Sequence, residues 1–427
     1  MNGLFLNFVN NLSSEDIKVE AQKASTFFCR KRKLSLPQLI TTLMSFTRAG
    51  VQVEVDRLFQ YLSFGKKQVV TYSRSAFSQA RSKLNASVFD YLRTHQLEYF
   101  HKHAVVYKRW HGYRIIAVDG STLNLPATKE LADYFGVFSN QFQLCPAAQV
   151  SVAYDVCNNL VLDTSIEPYN KGEKEMAAGH IKKLATADSI FVFDRGYMCV
   201  HLLKTLMDQG AKFCFRVNSS WRDIYQKMEK ASDLDYCFKK SYTYYFNNVA
   251  YKLADNLEGL RIVKIPLSST ENEILITNLN DTTLFTLSTL KELYQRRWAA
   301  EELYKRLKYV IHMEFFTGKS VESIKQDFLA RILLLNFASM IETQQIQPEI
   351  DKKQTCNKYP LQPNRTQIHA KLKDSFFAII FGSNTHYHLQ RIIELLQKCY
   401  DIVRKNRSFQ RNLLKRRKRK PLNYKAP

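Results

Sequence analysis

Two short apolar runs, YRIIAV from Tyr113 and SIFVF from Ser189, are rich in β-branched and aromatic residues, and each stops at an aspartate. Composition of this kind, closed by the turn formers of Asp119-Gly120 and Asp194-Arg195-Gly196, predicts buried strands. A helical stretch from Lys174 to Leu184 separates the two runs. The chain is thereby constrained to an α/β core in which two buried strands present carboxylates at their C-terminal ends, where ligands collect in such sheets. Taken singly, each aspartate is better read as a turn former or a helix N-cap.

Strands are also expected in QVSVAYDVCNNLVLDTSIEP, with a turn at Asn158-Asn159, in KFCFRVN, and repeatedly between Tyr242 and Asn278. A helix is expected over 197–209. Before the core, residues 36–62 and 73–100 read as amphipathic helices around a Gly65–Lys67 turn. After it, helical periodicity runs from Thr286 to the end, interrupted between Gln345 and Thr366. His386 and His388 read as loop residues without a third metal ligand near them.

Lys and Arg number 63 against 39 Asp and Glu, a formal charge of +24. An enzyme of small molecules rarely needs such an excess, whereas a partner of polyphosphate does, so nucleic acid is the expected partner. The cations cluster in LLKRRKRKP, where Lys415, Arg416 and Arg417 begin an unbroken run expected to bind phosphate without sequence preference. The eight cysteines form no C-x-x-C pair, as expected of reduced thiols in the cytoplasm. The first residues lack a basic stretch and cleavage signal for secretion, and the apolar run Ile332–Ile341 is too short to cross a bilayer, which takes about 20 residues.

The segment ELYQRRWAAEELYKRLK, Glu292–Lys308, sets two glutamates in a cationic helix. On a regular helix Tyr294, Arg297, Glu301 and Lys308 share an arc of roughly 60°, while Glu302 points roughly 100° away from Glu301. A solvated face with a Glu301–Lys305 pair would explain the charges but not Tyr294 or Trp298; Trp298 is expected to pack the helix onto the core. Phosphoryl transfer on DNA explains the set. Two Mg²⁺ ions about 4 Å apart need hard carboxylate oxygens, here Asp119, Asp194 and Glu301, with Mn²⁺ a substitute. Arg297, Lys305 and Lys308 would form a phosphate-binding rim, with Tyr294 donating a hydroxyl and Arg195 shaping the turn after Asp194.

At these residues the sequence resembles the DDE transposases of bacterial insertion sequences, in the family named after insertion sequence four. That family's Tyr, Arg, Glu and Lys signature is met without a gap by Tyr294, Arg297, Glu301 and Lys308. Its first aspartate motif is matched by Asp119-Gly120-Ser121 and Leu125-Pro126, and its second by Asp194 to Tyr197. The resemblance extends through GKSVESIKQDFLARILLLNFAS and, more loosely, SAFSQARSKL. It implies an RNase H-like catalytic domain, residues 106–218 and 285–345, interrupted by a β-rich insertion at 219–284. A helical DNA-binding region, 1–105, including Lys31, Arg32, Lys33, Lys66 and Lys67, and a helical C-terminal region with the basic tail, 346–427, would flank it. The resemblance further implies a metal-dependent endonuclease and cut-and-paste transposase acting in the cytoplasm, on the nucleoid. It would work as a homodimer in a synaptic complex with double-stranded DNA, at the inverted ends of its element and at target DNA. Tyr294 and Arg297 would touch the phosphate near the cleaved end. In relatives that form a hairpin, a tryptophan of the insertion stacks a flipped base; Trp221 is the one available, with Tyr242, Tyr244 and Phe246 as loose substitutes. A catalytically silent or domesticated DNA-binding protein, or a structure-selective nuclease on the same fold, are the competing expectations.

Overall fold

The computed structural model describes residues 1–46, 49–63, 67, 70–139, 144–219, 221, 228, 234–238, 243–246, 249–252, 260–266, 272–355 and 357–404. The chain opens with helices α1 (Asn2–Leu12), α2 (Glu15–Ala21), α3 (Leu36–Ser45), α4 (Val51–Ser63), α5 (Arg74–Ser82) and α6 (Ser87–His103). There follow β1 (Arg114–Asn124), α7 (Lys129–Phe135), β2 (Val137–Ser139), β3 (Leu144–Asp155), β4 (Leu160–Pro168), α8 (Glu173–Leu184), β5 (Ser189–Phe193), α9 (Val200–Asp208) and β6 (Lys212–Arg216). Next come β7 (Asp235–Phe238), β8 (Thr243–Phe246), β9 (Val249–Lys252), β10 (Leu260–Pro266) and β11 (Asn272–Thr277). Helices Leu287–Arg296, Trp298–Lys305, Val321–Ile341, Gln347–Gln354, Arg365–Phe381 and Thr385–Leu396 complete the described chain with two short strands, Leu361–Pro363 and Tyr400–Ile402.

The chain forms two compact units, one of Lys108–Thr122 and Gln149–Arg306, the other of Met1–Tyr107, Leu123–Ala148 and Leu307–Pro427. The first is built on a mixed sheet that runs β3, β1, β5, β6, β11, β10, β7, with β4 also paired to β3; β2 pairs with Leu144–Pro146 at the start of β3, within the other unit. β1, β5 and β6 are parallel, with Ile115 opposite Ile190 and Val192 opposite Cys214. β11 returns antiparallel to β6, and β10 and β7 continue the alternation. The described strands of 219–284 therefore divide: β11, β10 and β7 extend the central sheet, while β8 and β9 pair as a separate hairpin. Side chains alternate across a pleated sheet, so Ile190 and Val192, and likewise Val263 and Ile265, share a face. There they bury Leu290, Leu293 and Tyr294 of the Leu287–Arg296 helix. Each such aliphatic side chain contributes about 1.5–3 kcal/mol on burial.

In the other unit the Val321–Ile341 helix is buried on nearly every side and is packed by α3, α5, α6, α7 and the Arg365–Phe381 helix. A helix apolar all round belongs in a core, which accounts for the run Ile332–Ile341. Among the described residues no helix is long and apolar enough to cross a membrane. Phe8 of α1 meets Phe337 edge-on at 4.8 Å between ring centroids.

Four sequence expectations differ from the fold. The strand expected to stop at Asp119 runs on through Asp119-Gly120 to Asn124, so Asp119 lies within β1. The helices read over 36–62 and 73–100 each break in two. The second break arises where the end of α5 turns back to α2, the Asn85 N–H donating to the Ala21 carbonyl at 2.8 Å. The interruption from Gln345 is largely helical, because Pro348 falls in the first turn of Gln347–Gln354, where a missing N–H costs nothing. His386 and His388 lie in the first turn of a helix capped by Asn384, whose side chain accepts the Tyr387 N–H.

Candidate active site

Val118 of β1 stands opposite Phe193 of β5, so Asp119 and Asp194 are the next residues on neighbouring parallel strands, about 5 Å apart along the sheet. Both are half-buried. Asp119 accepts the Gly120 N–H at 3.0 Å, and its backbone carbonyl accepts the Tyr304 hydroxyl at 2.9 Å. Burial pushes the Asp119 carboxyl up to about 6; the Gly120 N–H and Arg297 oppose the rise, and the charges of Glu301 and Glu173 add to it.

Glu301 arrives on a helix that is not the continuous one expected from Leu287 to Lys308. Around Arg297 the hydrogen bonds shorten to three-residue spacing, Arg297 N–H to Tyr294 O at 3.0 Å and Ala300 N–H to Arg297 O at 2.9 Å. Beyond Lys305 the helix widens into a π-helical turn, Arg306–Val310. Tightening and widening of this kind are common at functional sites, and they invalidate a count of 100° per residue from Tyr294 to Lys308.

Tyr294 is buried, and its hydroxyl donates to Asp194 Oδ1 at 3.1 Å. Arg297 is only 4% exposed, and its Nη2 donates to Glu301 Oε1 at 2.8 Å. Burial works against the Arg297 charge, but Tyr294, Glu301 and Asp194 together hold the guanidinium above its ordinary value. Arg297 thus bonds Glu301, and its charge also acts on Asp119 and Asp194. Glu302 is exposed and pairs with Lys305, the lysine that a merely solvated face would have given Glu301.

A family model described as the transposase DDE domain matches residues 110–337, just over half of the chain, and encloses all three carboxylates. The chain belongs to the family of transposase DDE domains. Among curated proteins, "Putative transposase InsZ" of Escherichia coli (strain K12) is 22% identical over 178 residues, 41% of this chain and 59% of that protein. "Transposase InsG for insertion sequence element IS4" of the same organism is 20% identical over 322 residues, 74% of this chain and 71% of that protein. The match thus spans less than two thirds of the first relative's length. A cryo-EM structure of the piggyBac transposase synaptic complex with hairpin DNA aligns at a TM-score of 0.44 and 11% identity, covering 92% of this chain and 84% of that one.

The other expected residues of this transposase domain are placed as follows. Arg195 is exposed, and its backbone carbonyl accepts the Asn218 amide at 3.2 Å. Lys305 is exposed beside Glu302, and Lys308 is half-buried in the π-helical turn, in the other unit. Arg216 pairs with Glu273 at 3.3 Å. Trp298 does not pack on the core: it is 52% exposed, with the Arg297 guanidinium 5.1 Å from its ring centroid. Lys66, Tyr242, Lys415, Arg416 and Arg417 lie outside the described residues, as do the side chains of Tyr244 and Phe246. Trp221 is half-buried.

Sequence reasoning missed a buried set behind Asp119. His180 Nδ1 lies 2.7 Å from Asp163 Oδ2 and His180 Nε2 lies 3.1 Å from Ser151 Oγ. The order is that of a hydrolytic triad, yet Ser151 has no exposed surface and cannot meet a substrate. The set instead locks α8 to β3 and β4. It also missed Glu173, at the start of α8, whose Oε1 accepts the Gln149 amide at 2.7 Å; an acidic first turn is too common to mark a site.

Hard carboxylate oxygens suit Mg²⁺ or Mn²⁺. Among the described residues no three His, Cys, Asp or Glu side chains are already gathered as an ion site, consistent with Asp194 and Glu301 being engaged by Tyr294 and Arg297. Tyr197, whose buried hydroxyl has no hydrogen-bond partner among the described residues, and Glu173 both press against Gly120, the residue after Asp119. The donor chemistry of Asp119, Asp194 and Glu301 fits a hard divalent cation, which they would hold once gathered.

Proposed function

We propose that the protein is a cut-and-paste DNA transposase that cleaves and joins strands at the inverted ends of its insertion sequence, with Asp119, Asp194 and Glu301 as its catalytic carboxylates. The observation that carries this reading is Arg297. A buried guanidinium that bonds one carboxylate and whose charge acts on two more is costly to build unless those carboxylates must stay close together, and phosphoryl transfer is the chemistry that needs them close. The position of Asp119 and Asp194 on adjacent parallel strands, with Glu301 on a later helix, supports an RNase H-like catalytic core, residues 106–218 and 285–345.

Two Mg²⁺ ions, or Mn²⁺ in their place, would supply Lewis-acid stabilisation and an activated oxygen at the scissile phosphate. The strands fix Asp119 and Asp194 rigidly. Tyr294 and Arg297 hold Asp194 and Glu301 in the free protein, and by the resemblance would touch the DNA phosphate near the cleaved end. Arg195, Lys305 and Lys308 provide further cations for the backbone. In cleavage the oxygen of water forms the new bond to phosphorus and the 3′ oxygen leaves, taking a proton. In joining, that 3′-hydroxyl attacks a target phosphate and the target's own 3′ oxygen leaves.

Double-stranded DNA at the element's ends and at the target is the partner, bound by a homodimer in the cytoplasm, and the charge of +24 supports it. Region 1–105 would read the ends, with Lys31, Arg32 and Lys33 all exposed, while the insertion, 219–284, and the C-terminal region, 346–427, add contacts. The test is Mg²⁺-dependent nicking of a labelled duplex ending in the element's own inverted repeat. Glu301→Gln, Asp119→Asn and Asp194→Asn should each bind the duplex and fail to nick it. Nicking at the wild-type rate by any of the three would refute the assignment.

A further inference from the structure

Tyr197 follows Asp194 by three residues and is 3% exposed, yet among the described residues its hydroxyl has no hydrogen-bond partner. A buried hydroxyl left in this state is destabilising unless something completes it. Its ring rests on Phe193, 5.6 Å between centroids, and its hydroxyl reaches over the residue after Asp119. A Cβ on Gly120 would lie 3.1 Å from the Tyr197 oxygen and 2.9 Å from Glu173 Oε1. Tyrosine hydroxyl and glutamate carboxylate thus both press against Gly120, an approach that only a residue without a side chain permits. Burial, with the charges of Glu173, Asp119 and Asp194 behind it, pushes the Tyr197 hydroxyl far above its usual range, so it remains a donor as well as an acceptor.

Glu173 is exposed but not loosely held. Gln149 of β3, itself buried, donates to it at 2.7 Å and accepts the Thr122 hydroxyl at 3.3 Å. The helix beneath it is fixed by His180 against Asp163 and Ser151. A favourable first-turn carboxylate would account for Glu173 alone. It would leave the Gln149 contact and the unsatisfied Tyr197 hydroxyl without cause.

Resting on the reading of Asp119 as a metal ligand, we propose that Tyr197 and Glu173 are positioning residues that hold the water shell of a divalent cation bound at Asp119. Mg²⁺ gives up its waters reluctantly and is usually bound by few carboxylates, so groups that accept or donate to those waters decide how firmly it sits. Tyr197 can do both, and Glu173 accepts. Neither needs to touch the reacting phosphate.

The test is Mn²⁺ binding by the full chain, followed by the loss of the free-ion signal in electron paramagnetic resonance, beside the Tm of each protein without metal. Outer partners of a metal site typically change affinity by about 10–100-fold, and Tyr197→Phe and Glu173→Gln are each expected to weaken Mn²⁺ binding by that much. Their Tm should stay unchanged or rise, since Tyr197→Phe removes an unsatisfied group and Glu173→Gln keeps the size of an exposed one. Gly120→Ala should weaken binding too, because its methyl displaces the end of the Glu173 side chain. Asp119→Asn should abolish binding. Wild-type affinity in Tyr197→Phe and Glu173→Gln, beside loss in Asp119→Asn, would overturn the inference and leave the transposase reading standing. Wild-type affinity in Asp119→Asn as well would overturn both. Weakened binding accompanied by a fall in Tm of several degrees would make the two residues structural and would also overturn the inference.

Discussion

Arg81 of α5 and Asp327 of the Val321–Ile341 helix form a buried ion pair at 2.9 Å. Arg81 Nε also donates to Gln326 Oε1 at 2.8 Å, Nη2 to the Ser323 carbonyl at 2.8 Å, and Nη1 to the Thr317 hydroxyl. Asp327 accepts the Thr317 N–H at 2.6 Å, and Arg331 nearby is committed to the carbonyls of Met313 and Phe315 at 2.9 and 2.6 Å. Arg81→Met keeps an apolar stem of similar length and removes the guanidinium. Asp327 then faces only Thr317 and the field of Arg331, while the Ser323 carbonyl and the Gln326 oxygen each lose a donor. Removing one member of a buried pair costs about 3–5 kcal/mol, a fall in Tm on the order of 10 °C for a unit of this size. Arg81→Met combined with Asp327→Leu takes away both charges, and its cost should fall below the sum of the singles by about 1–3 kcal/mol. Calorimetry and urea denaturation of the full chain measure both quantities. A single variant within about 1 kcal/mol of wild type, or strict additivity in the double, would refute the claim that this network holds α5 to the central helix.

Three more outcomes are expected. Burial alone would raise Asp327, but Arg81, Arg331 and the Thr317 N–H hold it below its ordinary value. Its stabilisation is therefore complete above about pH 4 and is lost as the pH falls through the lowered native value; urea midpoints against pH should show Asp327→Asn approaching wild type below pH 4. Glu302→Gln loses only an exposed pair with Lys305, so it should cost at most about 1 kcal/mol in denaturation and leave nicking near the wild-type rate. Removing residues 411–427 should flatten the log-log salt dependence of duplex binding by about 0.9 for each phosphate that the tail neutralises, and an unchanged slope would show that the tail does not bind phosphate.

Much of the unit built from Lys108–Thr122 and Gln149–Arg306 was legible because the runs before Asp119 and Asp194 are apolar and rich in β-branched and aromatic residues. The runs before Asp119 and Asp194 announce buried strands by composition, though not that the first continues to Asn124, and the parallel register found in the fold sets the two residues side by side. The helical segments were legible as helices but not in their limits. Periodicity reports which face is apolar, and the end of α5 is set instead by its bonds back to α2, between residues distant in sequence. The motifs SAFSQARSKL and GKSVESIKQDFLARILLLNFAS look independent along the chain. Their joint meaning is the Arg81–Asp327 network, a pairing of positions 246 residues apart that no local pattern reports.

The opposite fates of Arg297 and Trp298 show what an ideal helical wheel leaves out. On a wheel a tryptophan within a charged helix belongs in the core and an arginine belongs in water. The tightened turn at Arg297 reverses this, turning the guanidinium inward to Glu301 and leaving the indole half in solvent beside it. The cause is electrostatic. Carboxylates from two strands and a helix, brought close without a compensating charge, would repel one another. A buried arginine cannot deprotonate and can face several carboxylates at once, so the demand for a permanent counter-charge outweighs the preference of an arginine for water. That demand comes from Asp119 and Asp194, which lie far before Arg297 in the chain, and it became visible once the sheet had placed them.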